Sequence, residues 1–182
     1  MTSLEREGVK LVLGGHADAR MSEADLIVVS PGVPMFRELE DAEKKGVKIW
    51  GEVELAVRAL KKPAPVVAIG GTNGKSTTTS LVAELLSAAG KKVFAGGNLG
   101  EPLAAHADEA FDVVVLEVSS FQMERVEAFH PSVCVLLNVT ADHLDRYPSM
   151  AAYAAAKGNS FRNQRPDDLA VVPHGDDVCL AE

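Results

Sequence analysis

Cysteine is scarce in this 182-residue chain: Cys134, inside an apolar run, and Cys179 are the only two. That excludes a disulfide framework, and the pair lacks the spacing of a zinc site. Long hydrophobic runs are missing too, every one falling well short of the ~18–20 residues that span a bilayer. The N-terminal residues lack the apolar core of a secretory leader. The expectation is a cytoplasmic protein without membrane insertion. Positive charge is outnumbered, with 18 Lys and Arg against 26 Asp and Glu and a formal net charge of −8. Nucleic acid and anionic membranes are therefore poor partners, although a local site can still hold an anionic metabolite. What is present suffices for a buried core, since 47% of residues are hydrophobic and 24% are charged. The length allows one ordinary domain, or one with part of another.

One segment stands out, Gly71-Thr72-Asn73-Gly74-Lys75-Ser76-Thr77. Val66-Val67-Ala68-Ile69 before it reads as a short buried strand, and Leu81, Val82, Leu85 and Leu86 after it recur at helical spacing. A glycine-rich turn between strand and helix is the context of a phosphate-binding loop. Its backbone N–H groups and the helix N-terminus cradle phosphate oxygens, Lys75 adds positive charge, and Ser76 offers a hydroxyl to Mg²⁺. The general pattern G-x-x-x-x-G-K-[ST] asks for a glycine where this chain has Ile69. The plainer alternative is a turn that merely caps a helix.

The chain reads as two α/β runs. In the first, strands are expected at 9–13, 26–29 and 47–50, with helices at 36–45 and 52–60 and a sharp break at Pro31-Gly32-Val33-Pro34. Lys61-Lys62-Pro63-Ala64-Pro65 is the expected linker. In the second, strands are expected at 66–69, 92–95, 112–118, 132–139 and 169–172, and helices at 75–89 and 149–161. Val113-Val114-Val115-Leu116 is continuous in the manner of a parallel strand covered on both faces. The first run has too few strands for an independent sheet, and the second stops after its last strand without a covering helix. A piece of a longer protein is the expectation.

In open parallel sheets, ligands bind beyond the carboxyl ends of the strands. Glu117 is the lone charge near the end of a buried run, followed by Ser119, Ser120 and Gln122. It is either a ligand for Mg²⁺ shared with nucleotide phosphates or a carboxylate solvated at the sheet margin. The next strand leads into Asn138, Thr140, Asp142, His143 and Asp145. There His143 is either a metal ligand or a solvated residue in a helix-start cluster capped by Asp142. Gly96-Gly97-Asn98-Leu99-Gly100 is a second glycine-rich loop, a weak signal by itself. On spacing alone Lys157, after Tyr153, is an exposed helix lysine.

Taken together, these segments resemble the Mur ligase family. The resemblance rests on the Gly71–Thr77 loop, Gly97-Asn98-Leu99-Gly100, the stretch from Leu116 to Glu124, and Leu137-Asn138-Val139-Thr140-Ala141-Asp142-His143-Leu144-Asp145-Arg146-Tyr147. The family's shorter loop pattern G-x-x-G-K-[ST] accounts for Ile69. The resemblance implies an α/β protein with a partial Rossmann-like UDP-substrate-binding unit at 1–62 and a partial P-loop, parallel-sheet central domain at 63–182. It implies that the family's C-terminal domain is absent and that the 182 residues alone have little or no ligase activity. It further implies a monomer catalysing ATP-dependent, Mg²⁺-assisted amide-bond formation, with UDP-N-acetylmuramoyl-L-alanine and D-glutamate as the other substrates. By position, Gly71, Thr72, Asn73, Gly74, Lys75, Ser76 and Thr77 bind the nucleotide. Ser76, Glu117, His143 and Lys157 serve the metals, with Lys157 carbamylated, while Asn98, Ser119 and Gln122 contact the muramoyl substrate. Lys75, Glu117, His143 and Lys157 carry the catalysis. A folylpolyglutamate-synthase-like ligase and a non-catalytic ATP–Mg²⁺ module remain alternatives.

Overall fold

The computed structural model describes residues 3–180. It divides into two compact units, one formed by residues up to Ile27 together with Val33–Ile49, the other by Val28–Gly32 together with Trp50 onward. A short helix, α1 (Ser3–Arg6), comes first, followed by 3-10 turns at Ala17–Ala19 and Met21–Glu23. Strand β1 (Leu26–Val29) pairs with β2 (Lys48–Gly51) in a two-stranded sheet. Between them lies α2 (Arg37–Lys44), which buries Leu39 and Ala42, two residues one helical turn apart. Phe36, just ahead of α2, stacks on His16 with ring centroids 4.2 Å apart. The expected strand at 9–13 does not form: this stretch is coil and Leu13 is 86% exposed. An apolar run with no partner strand has no ladder to satisfy its backbone.

The second unit begins with α3 (Glu52–Ala59), which leads into a five-stranded sheet. Its strands are β3 (Val66–Gly70), β4 (Val93–Gly97), β5 (Val113–Glu117), β6 (Val133–Leu136) and β7 (Leu169–Val171). They lie in the order β4-β5-β3-β6-β7, and every adjacent pair is parallel. Among the described residues, four α-helices, α4 (Lys75–Ala88), α5 (Ser120–Met123), α6 (Met150–Gly158) and α7 (Asp177–Leu180), and a 3-10 helix at Leu103–His106 complete the unit. β6 stops at Leu136, short of the expected 139, and α7 follows β7 where no helix was expected.

Val66, Ala68, Val114 and Leu116 share a core cluster with Val53, Ala56 and Leu60 around α3. Leu136, Tyr147, Tyr153, Ala154 and Ala156 make a second cluster beside β6 and α6. On α4 the buried positions are Thr79 and Ala83, small residues that permit close approach to the sheet, whereas Leu81 and Leu85 point outward. Val82 and Leu86, the other two apolar residues at helical spacing, are half-buried.

The boundary also differs from expectation. The units part at Trp50 rather than in the proline-rich linker at 61–65, so α3 belongs with the P-loop sheet. The reason is Glu54, fully buried on α3. Its carboxylate accepts the backbone N–H groups of Glu127, Ala128 and Phe129, each at 2.9 Å, and the Arg58 Nε at 2.5 Å. Burial pushes this carboxyl up, but the N–H of Ala128, the Arg58 guanidinium and the N–H groups of Glu127 and Phe129 outweigh it and hold it below its usual range. Lys61 N–H donating to the Ala107 carbonyl at 2.8 Å ties down the linker's first residue as well.

Candidate nucleotide and metal site

The strand order places β3 in the centre, with β5 on one side and β6 on the other. The chain leaves β3 towards one edge and later returns to its other flank, which makes the carboxyl end of β3 a switch point where an open α/β sheet binds ligand. Register brings the three strand ends level: Ile69 pairs with Glu117, and Gly70 with Leu136. The P-loop, Glu117 and the segment from Asn138 to His143 therefore leave the same edge of the sheet.

The loop closes through Gly74, whose φ of 84° lies in the left-handed region that glycine adopts without strain. Helix α4 starts there with no side-chain cap. Among the described residues, no hydrogen bond uses the N–H groups of Gly74, Lys75, Ser76 or Thr77. Four open donors at a helix N-terminus, in the positive end of its dipole, suit an anion. The Lys75 ammonium donates to the Thr72 carbonyl at 2.9 Å, within its own loop.

Glu117 ends β5 and is 2% exposed. Its Oε2 accepts the Ser76 hydroxyl at 2.6 Å, and its Oε1 accepts the Asn98 amide at 2.6 Å. Asn98 thus touches the carboxylate that sequence reasoning treated separately from it. Its loop is held close, since the Asn98 N–H donates to the Glu117 carbonyl at 2.9 Å. Gly97, with φ of 99°, comes so near that a Cβ there would lie 2.6 Å from the same carbonyl oxygen. Replacing Gly97 with Ala is accordingly expected to destabilise the fold by about 2 kcal/mol or more, through a backbone clash and a left-handed φ together. Urea denaturation checks it, and an unchanged midpoint would contradict this packing.

His143 sits in the turn after β6, at a left-handed φ of 52°. Its imidazole lies 4.9 Å from the Phe121 ring and 6.0 Å from the Tyr153 ring, and its Nε2 is 3.6 Å from Asp142. Lys157 is not an exposed helix lysine. Only 5% exposed, it sits on the buried face of α6, 4.6 Å over the Tyr153 ring, and donates to the Gly71 carbonyl at 2.9 Å. The geometry therefore joins Ser76 with Glu117, and sets His143 and Lys157 around Tyr153. Among the described residues, no hydrogen bond links these two pairs directly.

Burial, and next the charge of Lys75, lower Lys157 from its ordinary value to about 8. Between pH 8 and about 10.5 the unfolded chain keeps a proton that the folded chain has released, so folding stability gained from this group rises with pH across that window. Relative to Lys157→Met, the wild type should gain up to about 1.4 kcal/mol per pH unit there. Parallel stability–pH curves for the two proteins would remove the assignment.

Ser119 and Gln122 form a capping box at the start of α5: the Gln122 N–H donates to Ser119 Oγ at 3.3 Å, and the Ser119 N–H donates to Gln122 Oε1 at 2.9 Å. The S-S-F-Q pattern signals such a cap as readily as a substrate contact. Sequence reasoning gave neither Asn138 nor Tyr153 a role in the site. Asn138 Oδ1 accepts the N–H groups of Thr72 and Asn73, and its Nδ2 donates to the Asn73 carbonyl. The Tyr153 hydroxyl lies 3.3 Å from Thr72 Oγ1. Neither residue belongs to a nucleotide motif, and only the polar character of the strand end at Asn138 hinted at it.

Among the described residues, no three His, Cys, Asp or Glu side chains gather around a possible metal. Mg²⁺ needs no such cage, because it keeps several waters and takes one or two carboxylates with substrate phosphates. A buried carboxylate and a serine hydroxyl beside an open anion cradle are hard oxygen donors that fit it.

The family model described as Mur ligase middle domain matches residues 69–181. The chain belongs to the Mur ligase family. It is 50% identical over 172 residues to the UDP-N-acetylmuramoylalanine--D-glutamate ligase of Desulfosudis oleivorans, covering 93% of this chain and 37% of that protein. Curated relatives of the same name are spanned over 37–40% of their length. Two solved Mur ligase family structures share the fold at 20% identity. One is the UDP-N-acetylmuramate:L-alanyl-gamma-D-glutamyl-meso-diaminopimelate ligase of Neisseria meningitides, with a TM-score of 0.61 over 98% of this chain and 61% of that one. The other is the MurF ligase of Thermotoga maritima in complex with ADP, at 0.58 over 90% and 46%. The expected α/β class with a parallel-sheet Mur ligase central domain is borne out.

Proposed function

We propose that this chain carries the nucleotide-binding part of an ATP-dependent ligase that joins D-glutamate to UDP-N-acetylmuramoyl-L-alanine through an acyl phosphate. The observation that carries the proposal is the 2.6 Å pairing of Ser76 with Glu117 beside the open N–H groups of the P-loop. Relatives of about 50% identity that bear this name support the choice of substrates.

The N–H groups of Gly74 to Thr77 bind phosphate oxygens, and Lys75 moves from the Thr72 carbonyl to the triphosphate. Ser76 and Glu117 would hold Mg²⁺, which would supply positive charge to the transferring phosphoryl group. The substrate carboxylate attacks the γ-phosphorus, ADP leaves, and the amine of D-glutamate then displaces phosphate from the acyl carbon. Preorganised positive charge at the transferring phosphoryl group supplies the catalysis. His143 and Lys157 would hold a second metal. With a pKa near 8, Lys157 is neutral often enough to add carbon dioxide and release a proton, giving the carbamate oxygen that a metal would take. Asn98, Ser119 and Gln122 border the muramoyl substrate, with Asn98 also orienting Glu117. Among the described residues no helix is long and apolar enough to cross a membrane. A cytoplasmic monomer accords with the proposal.

Phosphate release from ATP tests this, measured on the full gene product with both co-substrates present and with each omitted. Turnover requiring both is expected. ATP binding without any response to the UDP-substrate would replace the proposal with a non-catalytic nucleotide module. The 182 residues alone are expected to turn over little.

A further inference from the structure

The side chain of Asn138 makes three hydrogen bonds to two consecutive residues of the P-loop. Oδ1 accepts the Asn73 N–H at 2.9 Å and the Thr72 N–H at 3.2 Å, while Nδ2 donates to the Asn73 carbonyl at 3.0 Å. The Asn138 carbonyl takes the Thr72 N–H as well, at 3.0 Å. An amide is the one side-chain group that offers an acceptor and a donor in this arrangement, as a neighbouring strand would. The stitch is strengthened next door, where Thr72 Oγ1 donates to the Thr140 carbonyl at 3.2 Å and accepts the Thr140 N–H at 3.1 Å.

The N–H groups of the loop therefore fall into two sets. Those of Thr72 and Asn73 are engaged by Asn138. Those of Gly74, Lys75, Ser76 and Thr77 are not engaged by any described residue. We infer that Asn138 is a positioning residue for phosphate transfer: it fixes the first half of the P-loop as an added strand end, so that only the second half is presented to the triphosphate. The inference rests on the reading of this loop as the nucleotide seat. A loop whose leading half moved would aim the second set of donors at several places, and preorganised donors bind and catalyse better than mobile ones.

Two variants of the full chain test it: Asn138→Ala, which removes all three bonds, and Asn138→Asp, which keeps the shape and the accepting oxygen but cannot donate. Amide hydrogen exchange and titration with Mg²⁺ and a non-hydrolysable ATP analogue, both at low temperature, are the readouts. In Asn138→Ala the Asn73 amide should exchange at least 10-fold faster and the analogue should bind at least 10-fold more weakly. In Asn138→Asp the Asn73 amide should stay protected, yet affinity should still fall by 10-fold or more, because the Asn73 carbonyl loses its donor and a carboxylate joins the phosphate site. A purely structural residue would lower the melting temperature of both variants and leave affinity unchanged. Affinities within twofold of wild type, or an Asn73 amide equally protected in Asn138→Ala, would overturn the inference. If the wild type binds no analogue, the nucleotide reading fails, and the exchange result still decides whether Asn138 holds the loop.

Discussion

Changing Glu117 to Gln is expected to leave the fold standing and to reduce phosphate release by about 10²–10³-fold. The carboxylate is buried with one oxygen on Ser76 and the other on Asn98. Glutamine retains an oxygen for the Ser76 hydroxyl. Its NH₂ then faces Asn98, whose own amide can turn to present its oxygen. Hydrogen bonding is thus preserved while the negative charge that attracts Mg²⁺ is lost. The measurements are a thermal melt, expected to shift by only a few degrees, and initial rates across a magnesium titration. A variant with wild-type turnover and wild-type magnesium dependence would remove Glu117 from the metal site. A variant that fails to fold would show that the contacts around Glu117 are structural first.

Glu54→Ala should have the opposite signature, with a large loss of stability far from any phosphate. The substitution leaves the N–H groups of Glu127, Ala128 and Phe129 without their acceptor and strips the Arg58 guanidinium of its buried partner. Each buried backbone donor left without its acceptor costs about 1–3 kcal/mol, while Arg58, 37% exposed and 3.8 Å from Glu127, adds little, so the loss is several kcal/mol. That is a large fraction of the ~5–15 kcal/mol that holds a domain together. Urea denaturation at neutral pH reads the effect directly. Because the Glu54 carboxyl titrates below its usual range, the wild-type advantage should be full above the ordinary carboxylate pKa and shrink as pH falls through the folded-state value. A variant within 1 kcal/mol of wild type, roughly the worth of a single neutral hydrogen bond, would refute the anchor.

The alternation of strands and helices was readable because the central strands are continuous valine and leucine runs, which only a sheet covered on both faces accommodates. The P-loop was readable because strand, glycine turn and helix follow one another locally. What escaped depends on distant partners. The run at 9–13 has strand-like residues but no neighbour to pair with. The apolar spacing on α4 did not tell which of its residues pack: Leu81 and Leu85 are exposed, while Thr79 and Ala83 are buried. Lys157 reads as solvent-facing by composition, yet the Ala-rich face of α6 brings it against Tyr153 and the Gly71 carbonyl. The capping box that Ser119 and Gln122 form at the start of α5 went unread beside their expected substrate contact. Glu54 carried no signal in the sequence, because its backbone donors lie more than 70 residues away along the chain.

That separation has a kinetic meaning. Ser76 and Glu117 are 41 positions apart, and Asn73 and Asn138 are 65 apart. Parallel neighbours with long crossovers must close large chain loops before any contact rewards them, which slows folding. The anion cradle, its carboxylate and its asparagine stitch are complete only when β5 and β6 have both docked on β3. A nascent chain that ends before Asn138 would carry the recognisable glycine-lysine signature without a rigid cradle behind it.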